Sequence, residues 1–188
     1  MNILRIKMGA GILPIAITKY AGTTNLYILL GQERNNEKWS DFGGGSHKGE
    51  KPIQTAIREG GEELNGLLGL DNDLEDQVKN NKVLTISYDK YTSYVFRTKY
   101  NKDLPKYFNN NNIFAEKYLS DKVNVNHNGL FEKKRIGWFP IIKFSNNRTK
   151  SIIRPHYLPF IDNILKNKDF IIDQIEKIDK KKEELRAN

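Results

Sequence analysis

The chain contains no cysteine among its 188 residues. That excludes a disulfide framework, a thiolate nucleophile and any zinc site built on sulfur. Long apolar runs are also lacking: none approaches the roughly 20 residues that a bilayer-spanning helix needs, so no membrane partner is expected. A clear export signal is missing too. Arg5 and Lys7 precede the apolar stretch Gly9–Thr18, much as in a signal peptide, yet Pro14 interrupts that stretch and no small-residue cleavage site follows. With neither cysteines nor an export signal, the expected setting is a reducing, cytoplasmic one. No internal repeat and no linker divides the chain.

What the sequence does have is positive charge. Lys and Arg number 31 against 23 Asp and Glu, a formal net charge of +8. Such an excess suits a polyanionic partner, either a nucleic acid or a phosphate-rich small molecule, without choosing between them. The apolar fraction of 38% suffices for a core, because a chain of this length buries about 70% of its unfolded surface.

Periodicity predicts an α/β layered domain. Ile12–Thr18 and Asn25–Gly31 read as a hairpin closed around Gly22, and Val83–Tyr88 with Thr92–Thr98 as a second one. Pro52–Leu64 has helical spacing, with Ile53, Ala56 and Ile57 on one face and Pro52 well placed at its first turn. The Asp- and Asn-rich stretch before Val83 reads as polar connection, Asn109–Asn112 as a loop, and Ile113–Leu119 as a short helix. A further strand is expected within Glu132–Ile142. From Arg154 onward the pattern is helical, with a charged tail from Asp179 that should fray.

The chemistry is concentrated between Gly44 and Gly66. In a helix at ~100° per residue, Glu59, Glu62 and Glu63 share an arc of about 100°. Three carboxylates on one face repel one another, and a hard divalent cation, Mg2+ or Mn2+, would offset that cost. Arg58 can pair with a neighbouring carboxylate and orient it. Upstream, Gly44 lies six residues before Glu50, and Glu50 eight before Arg58.

This arrangement, G-x5-E-x7-R-E-x-x-E-E, resembles the signature of the Nudix hydrolases. The motif spans 23 residues, and the order hairpin, Gly-rich turn, helix extends the resemblance over about 140. The resemblance implies a mixed β-sheet sandwiched between helices. Residues 1–150 would form the hydrolase domain, with basic C-terminal helices, 151–188, packed on it or extending it. It also implies that Glu59, Glu62 and Glu63, with the backbone carbonyl of Gly43, hold Mg2+ or Mn2+. Arg58 would orient Glu59, Glu50 would support the loop-to-helix junction beside Gly44, and Glu59, Glu63, Arg58 and Glu132 would form the catalytic set. The implied reaction is hydrolysis of a nucleoside diphosphate linked to another group.

Two departures from the signature stand out. Gly60, followed by Gly61, replaces a bulky apolar residue, and each glycine costs a helix about 1 kcal/mol relative to alanine. Either packing partners approach closely there or the helix is locally weak. Asn65-Gly66 replaces the terminal glycine–apolar pair, with Leu67 or Leu68 available as the apolar anchor; asparagine tolerates the left-handed conformation such a helix end requires.

Glu132 stands six residues before Trp138 in a run, E-x5-W-F, similar to the messenger-RNA decapping branch of the same superfamily. That resemblance implies a metal-linked general base and a capped-RNA substrate, with release of 7-methylguanosine diphosphate. Diphosphoinositol polyphosphates or dinucleoside polyphosphates are the alternative, and a non-catalytic RNA-binding module a third possibility. Arg34, Lys38, His47 and Lys48 are the candidate phosphate contacts, on loops flanking the motif. The runs Lys166–Lys168 and Lys180–Lys182 motivate a contact between RNA and the C-terminal helices.

Overall fold

The computed structural model describes residues 8–120 and 131–187; Arg5 and Lys7 lie outside them. Strands β1 (Gly9–Tyr20) and β2 (Thr23–Glu33) form a long antiparallel hairpin. Its two-residue turn, Ala21-Gly22, has φ of 47° and 77°, the positive pair that matches the right-handed twist of the flanking strands. The short strands β3 (Trp39–Ser40) and β4 (Phe42–Gly45) then pair with β2 and β1 respectively. β5 (Lys82–Tyr88) and β6 (Tyr91–Arg97) make the second hairpin, and β7 (Lys133–Pro140) closes the sheet against β2. The sheet order is β3-β2-β1-β6-β5, with β4 and β7 added to β1 and β2. β1 and β6 run parallel while the other pairs are antiparallel, so the sheet is mixed.

Alternation along β1 builds both cores. Ala10 and Ile12 face helices α1 (Pro52–Glu63), α2 (Asp71–Asn80) and α3 (Leu104–Tyr118), packing with Ala56, Ile57, Leu74, Val78 and Phe108. Leu13 and Ile15 point the other way, toward α4 (Leu158–Lys166) and α5 (Lys168–Ala187), against Phe160, Ile161, Ile164, Ile171 and Ile175. The mixed sheet is therefore covered by helices on both faces. No described helix is long and apolar enough to cross a membrane.

Three expectations are corrected. The Asp-rich stretch is not a plain connection: α2 forms there, anchored by Leu74 and Val78, two apolar positions four apart in an otherwise polar helix. Asn109–Asn112 is not a loop but the middle of α3. Buried Phe108, Asn112 and Ala115 form one helical face, and Asn112 Nδ2 donates to Lys133 O at 2.7 Å, so tertiary contacts override weak asparagine propensity. The charged tail does not break off at Asp179. α5 continues to Ala187, with Arg97 Nε 2.7 Å from Asp179 Oδ1 tying it to β6.

Candidate active site

The glycine-rich strand β4 leads through a loop into α1, and the charged motif residues converge on that junction. Glu50 ends the loop. Its Oε2 accepts from the His47 amide at 2.8 Å and from Thr55 Oγ1 at 3.0 Å, joining the loop to the first turn of α1. Lys51 N–H donates to Gln54 Oε1 at 3.0 Å, which satisfies a further amide at the helix start.

Arg58 is the hub. Its Nε and Nη2 grip the two oxygens of Glu50 at 2.8 and 3.1 Å, a two-point fork. Its Nη1 reaches Glu59 Oε1 at 2.9 Å and Glu62 Oε2 at 3.3 Å, and Nη2 also donates to Gly45 O at 3.2 Å. These hydrogen bonds, with Arg58 foremost, pull the Glu50 carboxyl down to about 2, and they raise the Arg58 guanidinium above its ordinary value. Glu59 lies flat against the backbone of Gly44, where a Cβ would stand 2.7 Å from Glu59 Oε1. The need for glycine at that motif position is thus steric: any side chain there would occupy the space of the carboxylate.

Glu62 and Glu132 join this network through charge. Burial raises the pKa of Glu62, and the nearby Glu59 and Glu132 raise it further. Burial and then Glu59 do the same for Glu132, at the start of β7. Glu59, Glu62 and Glu132 therefore form one zone of negative charge beside a single guanidinium.

Glu63 has been drawn away from that zone. It is 4% exposed, its Oε2 accepts from the Gly43 amide at 2.7 Å, and its Oε1 lies 3.2 Å from the Lys133 ammonium. Burial and the neighbouring Glu33 push Glu63 up to about 8, against the pull of Lys133. Lys133 is itself fully buried; it donates to Glu33 Oε1 at 2.6 Å and to Ser40 Oγ at 3.3 Å. Arg154 Nη1 reaches the same Glu33 oxygen at 2.8 Å. Gly43, whose amide Glu63 takes, sits in β4 opposite Gly11.

The residues present suit a hard divalent cation in part. Glu59, Glu62 and Glu132 have the chemistry and the unneutralised charge that such an ion would relieve. Glu63 does not, because both of its oxygens already face donors. Among the described residues, no three acidic or histidine side chains already converge on one point as a ready metal shell.

The four basic loop residues are dispersed. Arg34 Nε donates to Phe131 O at 2.5 Å and its Nη1 pairs with Glu116, while Lys38 Nζ donates to Ser151 O at 2.6 Å. Both contact groups outside the motif carboxylates. His47 and Lys48 stay exposed on the loop, with His47 Nδ1 3.7 Å from Glu50 Oε1. Lys38 lines one cavity with Arg135; a separate cleft of about 440 Å³ runs along the backbone of Gly43–Gly45, with Lys90 and Arg154 in its lining. Buried Asp41 also lines it, holding Tyr91 OH at 3.0 Å and Ser93 Oγ at 2.7 Å, with its pKa pushed up to about 6 by burial.

Sequence reading missed Lys133, Glu33, Asp41 and Arg154. A buried lysine inside the run Lys133-Lys134-Arg135 looks the same as its exposed neighbours in one dimension. Helix α5 carries six basic and six acidic residues, and Lys177 pairs with Asp173 at 2.7 Å.

No family model matches the chain, and no curated protein does. Solved structures do resemble it. A mutT/nudix family protein from Listeria innocua aligns over 90% of this chain and 95% of its own, with 15% identity and a TM-score of 0.42. A C. elegans Ap4A hydrolase aligns over 77% and 91%, with 18% identity and a TM-score of 0.43. A bifunctional NMN adenylyltransferase/ADP ribose pyrophosphatase from Francisella tularensis aligns over 84% of this chain and 42% of its own, with 16% identity and a TM-score of 0.46. These are distant likenesses of shape. What the chain does chemically is read from its own side chains.

Proposed function

We propose that the chain is a Nudix-type pyrophosphohydrolase, dependent on Mg2+ or Mn2+, that cleaves a nucleoside diphosphate from a linked group. The observation that carries this reading is the Arg58 fork. One guanidinium ties Glu50 at the loop end to Glu59 and Glu62 on the helix, so the motif spacing becomes a connected charged surface. A structural ion-pair network would not require Glu59 to lie against the bare backbone of Gly44.

Glu59, Glu62 and Glu132 are the residues that would hold the cation. Once bound there, it would polarise the phosphoryl oxygens as a Lewis acid and lower the pKa of an attacking water. Arg58 keeps Glu59 and Glu62 in place, and Glu50 keeps Arg58 in place, so neither carboxylate has to be ordered when substrate arrives. Glu132 keeps part of its surface open to solvent, and the proton affinity raised by its partial burial and by Glu59 suits a carboxylate that accepts a proton from water. Lys90, in the cleft along β4, supplies positive charge for the remaining phosphates.

Capped RNA is the finer reading, supported by the electrostatic coupling of Glu132 to Glu59 and Glu62. A compact substrate, a dinucleoside polyphosphate or a diphosphoinositol polyphosphate, is the second. It is favoured by the balanced charge of α5, whose six basic residues are matched by six acidic ones. The test is product identification from cap-labelled RNA, a dinucleoside tetraphosphate and a diphosphoinositol polyphosphate, each with Mg2+ and with Mn2+. Turnover of one class, lost in Glu59→Gln, is the expected result. Intact substrates under both metals would overturn the enzymatic reading, and tight RNA binding without turnover would replace it with a binding module.

A further inference from the structure

We infer that Lys133 is a positioning residue, a built-in cation that holds Glu63 out of the divalent-ion site and leaves the ion to Glu59, Glu62 and Glu132. This rests on the metal-dependent reading above and departs from the motif's usual division of labour, in which all three helical glutamates serve the ion.

The fold makes a specific place for this lysine. Lys133 opens β7 opposite Glu33, at the bulge where the β2–β7 register shifts. Its stem crosses the backbone of Gly31, where a Cβ would stand 2.9 Å from both Lys133 Cγ and Cδ. Glycine at position 31 is what lets the stem pass, and the ammonium ends between Glu33 Oε1 at 2.6 Å and Glu63 Oε1 at 3.2 Å, with Ser40 Oγ at 3.3 Å. Arg154 also reaches Glu33, so Glu33 faces two cations while Glu63 faces Lys133.

That arrangement bears directly on the ion. Glu63 has one oxygen on the Gly43 amide and the other beside the ammonium. A divalent ion binds carboxylate oxygen at about 2.0–2.1 Å when it is Mg2+-sized, which would press it against the Lys133 charge in a buried, weakly screened setting. Glu59 and Glu62 meet no such obstacle. Their cationic neighbour Arg58 takes one oxygen of each and leaves the other.

Mn2+ titration of the full chain, with free Mn2+ read by electron paramagnetic resonance, tests the assignment without relying on turnover. Wild type should bind Mn2+, Glu63→Gln should bind it within about twofold of wild type, and Glu59→Gln should weaken it by about tenfold or more. The double variant Lys133→Met/Glu63→Gln removes the buried pair together and guards against misfolding of a single variant. It too should bind within about twofold. If Glu63→Gln weakens Mn2+ as much as Glu59→Gln does, Glu63 is a ligand and the inference is overturned while the metal site stands. If wild type binds no Mn2+, the metal-dependent reading itself is overturned, and this inference with it.

Discussion

Two adjacent glycines in α1 provide a sharp test of how this fold was chosen. Alanine at either position should gain about 1 kcal/mol of helix propensity. Packing separates the two sites. A Cβ at Gly60 would stand 2.5 Å from Ile12 Cγ1 and closer still to Ile12 Cδ1, and Ile12 is fully buried between β1 and the helix. Carbon atoms prefer separations near 3.5–4.0 Å, so Ile12 would have to move by roughly 1 Å inside a close-packed core, an overpacking cost of about 1–3 kcal/mol. Gly60→Ala should therefore destabilise by up to about 2 kcal/mol net. At Gly61 the nearest atom is Leu70 Cδ2 at 3.0 Å, the tip of a side chain that is 51% exposed and can turn aside. Gly61→Ala should stabilise by about 0.5–1 kcal/mol. Urea denaturation midpoints read both, with an unchanged slope confirming that stability alone has shifted. Adding Ile12→Ala to Gly60→Ala should recover about 1–3 kcal/mol relative to the sum of the single changes, because the smaller side chain vacates the contact. Equal effects at the two positions, or a stabilising Gly60→Ala, would refute the close-approach explanation.

Other perturbations follow from the same contacts. Lys133→Met alone should cost about 3–5 kcal/mol, since it removes the ammonium beside buried Glu63 while Glu33 keeps Arg154, and Lys133→Met/Glu63→Gln should cost markedly less; denaturation of the two variants compares them directly. Glu50 is held down at about 2 by Arg58, so its contribution to stability is present above pH 4.5 and is lost as pH falls through 2. Wild type should lose about 2 kcal/mol over that window after allowing for the partial exposure of Glu50, and Glu50→Gln should show a flatter acid limb in pH-dependent unfolding. Asn65 ends α1 at φ 51°, donates to Asn112 Oδ1 at 2.9 Å and accepts from the Phe131 amide at 2.8 Å. Asn65→Ala should cost about 2–3 kcal/mol by thermal denaturation, and Asn65→Gly less, because glycine restores the backbone conformation without the hydrogen bonds.

Much of this arrangement could be read along the chain because its signals are local. Alternation and the Gly22 turn placed the first hairpin; Pro52 and the spacing of Ile53, Ala56 and Ile57 placed α1; and Asn65 at a helix end pointed to a left-handed residue. Where local signals conflicted with packing they misled. Four consecutive asparagines read as a loop until Phe108 and Asn112 found partners on β7, and α2 was invisible because two buried residues suffice to dock it. The Gly60-Gly61 pair left two explanations open, and the approach of Ile12 and Leu70 selects the first.

The motif's residue types and spacing were a property of the sequence alone: four of the charges fall within two helical turns, and a helix brings Arg58 to Glu59 and Glu62 whatever surrounds it. Which carboxylate does which work was decided by tertiary structure. Glu63 differs from Glu62 by one position and 100° of rotation, yet that turn carries it from the surface into a pocket where a lysine 70 residues away supplies the opposing charge. Electrostatic energy depends on distance and burial in space, and neither is recorded in the order of the residues.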